Sequence, residues 1–202
     1  MLPELVPDYG KKGRQLMYPD GINATPLTVD YESGGAALSD ASAGFFAKIW
    51  MGFSEGLNIY IKPEDDSLPK QLITTGTTDV TELSITFDQN MQPLVVYVDG
   101  GITKMFWFDP SVSSTTTTVF TDMNSPKLTL DDKNDYAIRY AEAEILLWYM
   151  FGGDLKYRKQ SDRYGVEHTY SAGVPGVAQR INKVGLDKAN RMHIEIQLRA
   201  DS

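Results

Sequence analysis

The sequence predicts an all-β fold, and three observations support that prediction. Short runs of aromatic and β-branched residues alternate with clusters of Gly, Asn, Asp and Pro, which is the pattern of strands separated by turns. Only one short stretch, residues 136–144, has helical character. An order of apolar strand, glycine turn, aromatic strand and polar strand recurs three times, which favours a sandwich, a barrel or a propeller.

The first 26 residues differ from the rest of the chain. Prolines and glycines punctuate them, and no apolar period of 2 or 3.6 residues develops. We expect residues 1–26 to form an extended arm, which either lies on a neighbouring subunit or is a frayed terminus. Residues 27–202 are expected to form one β-repeat domain.

The strands of this domain are runs of apolar residues that end at turn residues. In the first unit, residues 27–80, they are FFAKIWMGF (45–53), LNIYIK (57–62) and QLITT (71–75), with a turn at 54–56. In the second unit, residues 81–124, they are LSITFD (83–88), PLVVYV (93–98), ITKMFWF (102–108) and TTTTVF (115–120), with a hairpin turn at 99–101. In the third unit, residues 125–175, they are EILLWYMF (144–151), LKYRKQ (155–160) and GVEHTY (165–170), with a turn at 152–154.

The three units begin with similar sequences, namely LTVDY at Leu27, LSITF at Leu83 and LTLDD at Leu128. The last two starts are 45 residues apart, which is close to the length of a four-stranded propeller blade. Closed propellers need at least four blades. We therefore expect either an open, sandwich-like stack of propeller-blade-like antiparallel units or a ring that closes through another chain.

A closing strand is expected within residues 184–200. In this segment Ile194, Ile196 and Leu198 alternate with polar residues, and residues 186–190 suggest the turn before it. The strand either joins the domain's own sheet or pairs with a partner. Trp50, Trp107 and Trp148 lie inside apolar strands and are predicted to be core residues.

Charge and composition exclude several classes of function. The chain has 19 Lys and Arg against 27 Asp and Glu, and its net charge of −8 argues against a nucleic-acid partner. A local basic patch of Lys156, Arg158, Lys159 and Arg163 is the only feature that favours one, and alternation makes it a solvated strand face or a contact surface. Cysteine is absent, so there is no disulfide framework. No apolar run has the ~20 residues that span a bilayer, and no signal peptide is expected.

One sequence motif matches a motif found in hydrolases. GFSEG (52–56) matches the G-x-S-x-G nucleophile elbow, with His168 and His193 downstream. An elbow needs a helix after Ser54, but LNIYIK alternates as a strand. We therefore interpret Ser54 as a hairpin residue and expect no enzymatic activity.

The remaining candidates for binding are weak. Acidic clusters at Glu64–Asp66 and Asp131–Asp132 lack the calcium-loop pattern, and the two histidines lack metal-ligand spacing. The glycine turns are hairpins rather than phosphate loops, so we predict no metal and no cofactor. Asn23–Thr25 is a formal glycosylation sequon. Surface aromatics among eleven Tyr and three Trp leave a sugar-binding platform open as an alternative.

Three segments carry a resemblance to a family. SPKLTLDDKND, EILLWYMFGGDLKYRKQSDRYGVEHTYSAG and NKVGLDKANRMHIEIQL resemble small β-rich structural proteins of tailed bacteriophages, as does LSITFDQNMQPLVVYVDGGITKMFWFD. The match covers roughly residues 81–199. These motifs are strands and turns, not catalytic signatures.

The resemblance implies a virion structural protein, a component of the tail located at its tip, baseplate, nozzle or fibre-attachment region. Such a protein would be made in the host bacterial cytoplasm and act by assembly as a homo-oligomer, with other tail proteins and tail fibres as further partners. A receptor- or glycan-binding module of a virion is the alternative, and a small serine hydrolase using Ser54 is a remote one.

Overall fold

The computed structural model describes residues 29–32, 50–63, 68–88, 92–130, 144–171, 178–186 and 192–198. These residues form fourteen β-strands and no helix, which confirms the predicted all-β class. The strands are β1 (Val29–Glu32), β2 (Trp50–Glu55), β3 (Asn58–Pro63), β4 (Gln71–Thr75), β5 (Val80–Phe87), β6 (Pro93–Asp99), β7 (Ile102–Asp109), β8 (Ser114–Phe120), β9 (Asn124–Leu130), β10 (Ile145–Phe151), β11 (Asp154–Lys159), β12 (His168–Ser171), β13 (Ala178–Leu186) and β14 (Met192–Leu198).

The strands form three four-stranded antiparallel sheets and one hairpin. Sheet I contains β1 to β4, sheet II β5 to β8, and sheet III β9 to β12, each in simple sequential order. The terminal hairpin pairs β13 with β14. Within the described residues, none of these sheets closes into a barrel.

The sheets stack with their first strands side by side. Strand β5 lies beside β1 and β9, and β9 in turn lies beside β13. Successive blades of a propeller have the same relationship around their axis. The described residues therefore form an open stack of three blade-like sheets followed by a two-stranded one.

The second strands of sheets II and III are buried on both faces. In β6, Leu94 and Val96 face sheet III, whereas Val95 and Tyr97 face sheet I. In β10, alternate residues likewise face sheet II and the terminal hairpin. Burial on both faces explains why PLVVYV and ILLWYMF are continuous apolar runs, since neither face meets solvent.

Sheets I and II lie very close to each other at Gly52. A Cβ atom at this position would lie 2.3 Å from Cγ2 of Ile85 and 2.9 Å from Cδ2 of Leu83. The glycine in the GFSEG sequence is thus required by packing between two sheets.

Trp107 and Trp148 are buried, as predicted, and Trp50 is partly buried against Phe87 with ring centroids 5.0 Å apart. The predicted closing strand is one half of a hairpin, because residues 178–186 form a further strand, β13, that pairs with β14. The predicted arm (1–26) and residues 136–143 of the predicted helical stretch lie outside the described residues. Within the described ranges, no helix is long and apolar enough to cross a membrane.

Candidate functional site

One of the segments that carry the family resemblance contains the turn between β11 and β12. We call residues 160–165 the linking turn. Its backbone is closed by hydrogen bonds from the amide of Arg163 to the carbonyl of Gln160 (2.8 Å) and from the amide of Gly165 to that of Asp162 (2.9 Å). Arg163 and Tyr164 both have positive φ, 52° and 58°, which bulky residues adopt only when their surroundings hold them there.

In that conformation, the side chains of Arg163 and Tyr164 contact sheet II. Arg163 donates to a carboxylate oxygen of Asp109 from Nε (3.1 Å) and from a terminal nitrogen (2.5 Å). Tyr164 is 1% exposed, and its ring meets Trp107 edge-on at 5.1 Å. Hydrogen bonds from Ser111 and Arg163 hold the pKa of Asp109 below its ordinary value despite burial, so this carboxylate stays charged.

The linking turn is also tied to its own sheet. A terminal nitrogen of Arg158 donates to the carbonyls of Tyr164 (3.0 Å) and Gly165 (2.9 Å). Gln160 is fixed to the start of β10 by two hydrogen bonds. Its backbone amide donates to the carbonyl of Ile145, and its side-chain oxygen accepts from the backbone amide of Ile145. The turn therefore joins sheets II and III as a rigid bridge.

A cleft of about 370 Å³ lies beside the bridge. Its polar wall is Glu167, which accepts hydrogen bonds from Nζ of Lys156 (2.5 Å) and from the hydroxyl of Tyr149 (2.6 Å). These bonds hold the pKa of Glu167 below its ordinary value, whereas burial and the bond to Glu167 raise the pKa of Tyr149. At this wall of the cleft, Glu167, Lys156 and Tyr149 are thus engaged with one another.

A second polar junction connects three of the layers. Glu82 of β5 lies 3.4 Å from Nζ of Lys127 in β9 and 3.8 Å from a guanidinium nitrogen of Arg180 in β13. The hydroxyl of Ser84 in β5 accepts a hydrogen bond from the amide of Leu128 (3.2 Å). Sheet II, sheet III and the terminal hairpin are therefore held in register by polar contacts as well as by their cores.

The predicted basic patch is not a solvated strand face. Lys156 is buried and paired with Glu167, Arg158 is bonded to the linking turn, and Arg163 is paired with Asp109. Lys159 is half-buried, and Arg163, although paired, has a side chain that is 60% exposed. Three of the four basic residues therefore stabilise the fold, because they pair with acceptors in the same chain.

The nucleophile elbow considered for Ser54 is not formed. This serine is a buried residue of β2 that pairs with Ile59 in β3, and the chain turns back through a hairpin with Gly56 at φ 58°. His168 contacts the carboxylate of Asp162 at 3.0 Å and stacks on Tyr157, with ring centroids 4.9 Å apart. An elbow requires a strand-to-helix turn, and this hairpin does not supply one.

The two acidic clusters, Glu64–Asp66 and Asp131–Asp132, and the sequon Asn23–Thr25 lie outside the described residues. His193 is exposed on β14. Among the residues that the structure describes, no three His, Asp or Glu side chains come close enough together to hold a metal ion.

Sequence analysis missed Asp109 and Glu167, which pair with the basic residues, and it also missed Tyr164. Its signal is an aromatic residue inside a turn, between Arg and Gly, where a solvated turn would carry a small polar residue. No protein-family model, curated protein or solved structure matches this chain. The resemblance to phage tail proteins therefore stays a prediction.

Proposed function

We propose that the protein is a structural component of a bacteriophage tail, built into the virion through contacts between subunits. The proposal is supported by the internal contacts that residues of the resembling segments make. Arg158, Asp162, Arg163 and Tyr164 are all engaged in internal contacts, which fix the linking turn to its own sheet and to the neighbouring one. Their role is architectural, as expected of a protein that works by its shape.

The open stack supports the same proposal. The outer strands β4, β8 and β12 each have one edge with no strand partner among the described residues. Exposed strand edges are surfaces on which other chains can add. The proposal assigns the chain no catalytic activity and places it in the tail, with other tail proteins and further copies of itself as partners.

The proposal is tested on purified phage particles. We expect the protein to co-sediment with intact virions, to be detected there by mass spectrometry, and to be located on the tail by gold labelling in electron micrographs. A capsid protein serves as the positive control. Full infectivity of a phage that lacks the gene, together with absence of the protein from wild-type particles, would refute the proposal.

The solution mass of the full chain, beside a chain that begins at Leu27, tests the expected homo-oligomer. A defined oligomer that dissociates without the first 26 residues supports assembly through that segment. A monomer in both cases contradicts self-assembly. The proposal would then be restricted to assembly with other tail proteins.

A further inference from the structure

The segment that leads into sheet II is bonded directly to that sheet. Residues 76–79 connect β4 to β5. The backbone amides of Thr78 and Asp79 donate to one carboxylate oxygen of Asp99, at 2.7 and 3.0 Å, and the hydroxyl of Thr78 donates to the same oxygen at 2.9 Å. Asp99 is buried at the end of β6. The connection and the sheet are therefore in contact, with no space between them at this carboxylate.

The segment that leads into sheet III differs at the equivalent place. Residues 121–123 connect β8 to β9, and the position of Asp99 is taken by Phe151, since each is the last residue of its strand and precedes a two-glycine turn. A phenylalanine ring cannot accept these hydrogen bonds. Within the described ranges, neither Thr121 nor Asp122 makes a hydrogen bond to sheet III. The cleft of about 370 Å³ lies here, with residues 121–123 as one of its walls.

The wall of this cleft on sheet III presents an acceptor beside a donor. Each oxygen of Glu167 accepts one hydrogen bond, from Lys156 or from Tyr149, and the side chain is 37% exposed. Carboxylate oxygens have more than one lone pair each, so Glu167 can accept further bonds. One terminal nitrogen of Arg158 donates to the linking turn, whereas the other makes no hydrogen bond among the described residues and lies 3.7 Å from Glu167.

Apolar side chains lie beside these two polar groups. Phe151 is 39% exposed, and the ammonium of Lys156 lies 4.7 Å from the centre of its ring, so one face of the ring is covered and part of the remainder is open. Val119, on the other side of the cleft, is 58% exposed. A ligand in the cleft therefore meets apolar surface as well as a donor and an acceptor.

The charges around the cleft balance. Glu167 and Asp122 are acidic, and Arg158 and Lys156 are basic. An anion that approached Arg158 would also meet the two carboxylates, and a cation that approached Glu167 would meet the two basic groups. Neither kind of ion has a favourable electrostatic environment, so a neutral ligand fits the cleft better.

We propose that this cleft binds a neutral sugar ring. Two adjacent hydroxyl groups of the sugar match the wall, because one hydroxyl can donate to Glu167 while the next accepts from Arg158. The C–H face of the ring matches the exposed part of Phe151. The volume is at the lower end of the range of about 300–1,000 Å³ that small-molecule sites have. The inference goes beyond the proposed function and does not depend on it, because it concerns a ligand of this chain and not its place in a virion.

Methyl NMR on the purified full chain tests the proposal. Methyl signals are followed during titration with glucose, galactose, mannose and N-acetylglucosamine. We expect at least one sugar to shift the signals of Val119 and Met123, which line the cleft, and to reach saturation. The control is Val112, which is 57% exposed in the turn between β7 and β8 and matches Val119 in exposure, and its signal should not move.

A matched pair of variants tests the role of Phe151. Phe151→Ser should raise the dissociation constant several-fold, because it removes the apolar contact with the sugar. Ile102→Ser is the control, since Ile102 is 46% exposed beside the equivalent turn of sheet II and does not line the cleft. Melting temperatures show whether both variants are folded, and the wild-type titration decides the proposal even if Phe151→Ser is unstable.

The same titration with methyl glycosides distinguishes two sources of the sugar. A free sugar would require its anomeric hydroxyl, whereas a terminal residue of a polysaccharide carries a carbon substituent there. Binding of either form supports the proposal. It would be overturned if no sugar shifted Val119 and Met123 at millimolar concentrations, if acetate or guanidinium shifted them more than any sugar did, or if the two serine variants weakened binding equally.

Discussion

Replacement of Gly52 by Ala tests the packing of sheet I on sheet II. The new Cβ would lie 2.3 Å from Cγ2 of Ile85, far inside van der Waals contact, and Ile85 is itself buried. Overpacking of a filled core costs about 1–3 kcal/mol. We expect Gly52→Ala to lower the free energy of unfolding by that amount, as measured by urea denaturation followed by tryptophan fluorescence.

The matched control is Gly185→Ala. Gly185 also lies within a strand, its φ is not in the left-handed region, and a Cβ there meets nothing within 4 Å. This substitution should be neutral or stabilise by up to about 1 kcal/mol, since it lowers the entropy of the unfolded chain.

A double-mutant cycle isolates the contact itself. Ile85→Ala alone removes a side chain that is 1% exposed and should cost about 2–5 kcal/mol. In the double variant the methyl group added at position 52 fills part of that cavity, so the combined loss should be smaller than the sum of the single losses by about 0.5–3 kcal/mol. Additive losses, or equal stability of the Gly52→Ala and Gly185→Ala variants, would refute the reasoning.

Three further predictions concern single residues. Tyr164→Phe should raise the free energy of unfolding by about 1 kcal/mol in urea denaturation, because the buried Tyr164 hydroxyl has no hydrogen-bond partner among the described residues. A lower free energy of unfolding would contradict this. Burial raises the pKa of Asp99, but hydrogen bonds led by that from Lys104 outweigh it and hold the pKa below its ordinary value. Its stabilisation is therefore present above the unfolded pKa of about 4 and is lost as the pH falls below it, so Asp99→Asn should flatten the acid limb of a plot of melting temperature against pH. Arg163→Ala should lower the melting temperature more than Lys159→Ala, and equal shifts would argue against the bridge to sheet II.

Most of the strands could be predicted because local pattern and burial agree. The apolar runs that form β6 and β10 are buried on both faces, and glycine turns separate them from the strands that follow. Strand β13 was missed for a physical reason. The pairing register shifts between Ile181 and Lys183, so its two inward apolar residues, Ile181 and Val184, are three positions apart and the period of 2 is lost.

The linking turn could not be predicted from local pattern. Arg163 and Asp109 are 54 residues apart, and nothing in either neighbourhood indicates the other. Sequence reasoning placed Arg163 in a basic patch because charge is visible in the sequence whereas its partner is not. Likewise, the sequence around Lys156 does not show that the pairing of β11 with β12 brings Glu167 beside it.

Because the chain contains three similar sheets, the exposure of a residue can be compared with that of the equivalent residues in the other two sheets. A half-buried tyrosine at one position would mean little by itself, since exposed apolar residues are common. Here the same position occurs three times, as Ile61 in β3, Met105 in β7 and Tyr157 in β11, and it is closed twice by strands of the following sheet and left partly open once, where the described layer above has two strands fewer. The difference between equivalent positions, rather than the exposure of one residue, shows that the two-stranded hairpin covers sheet III less completely than a four-stranded sheet covers the sheet before it.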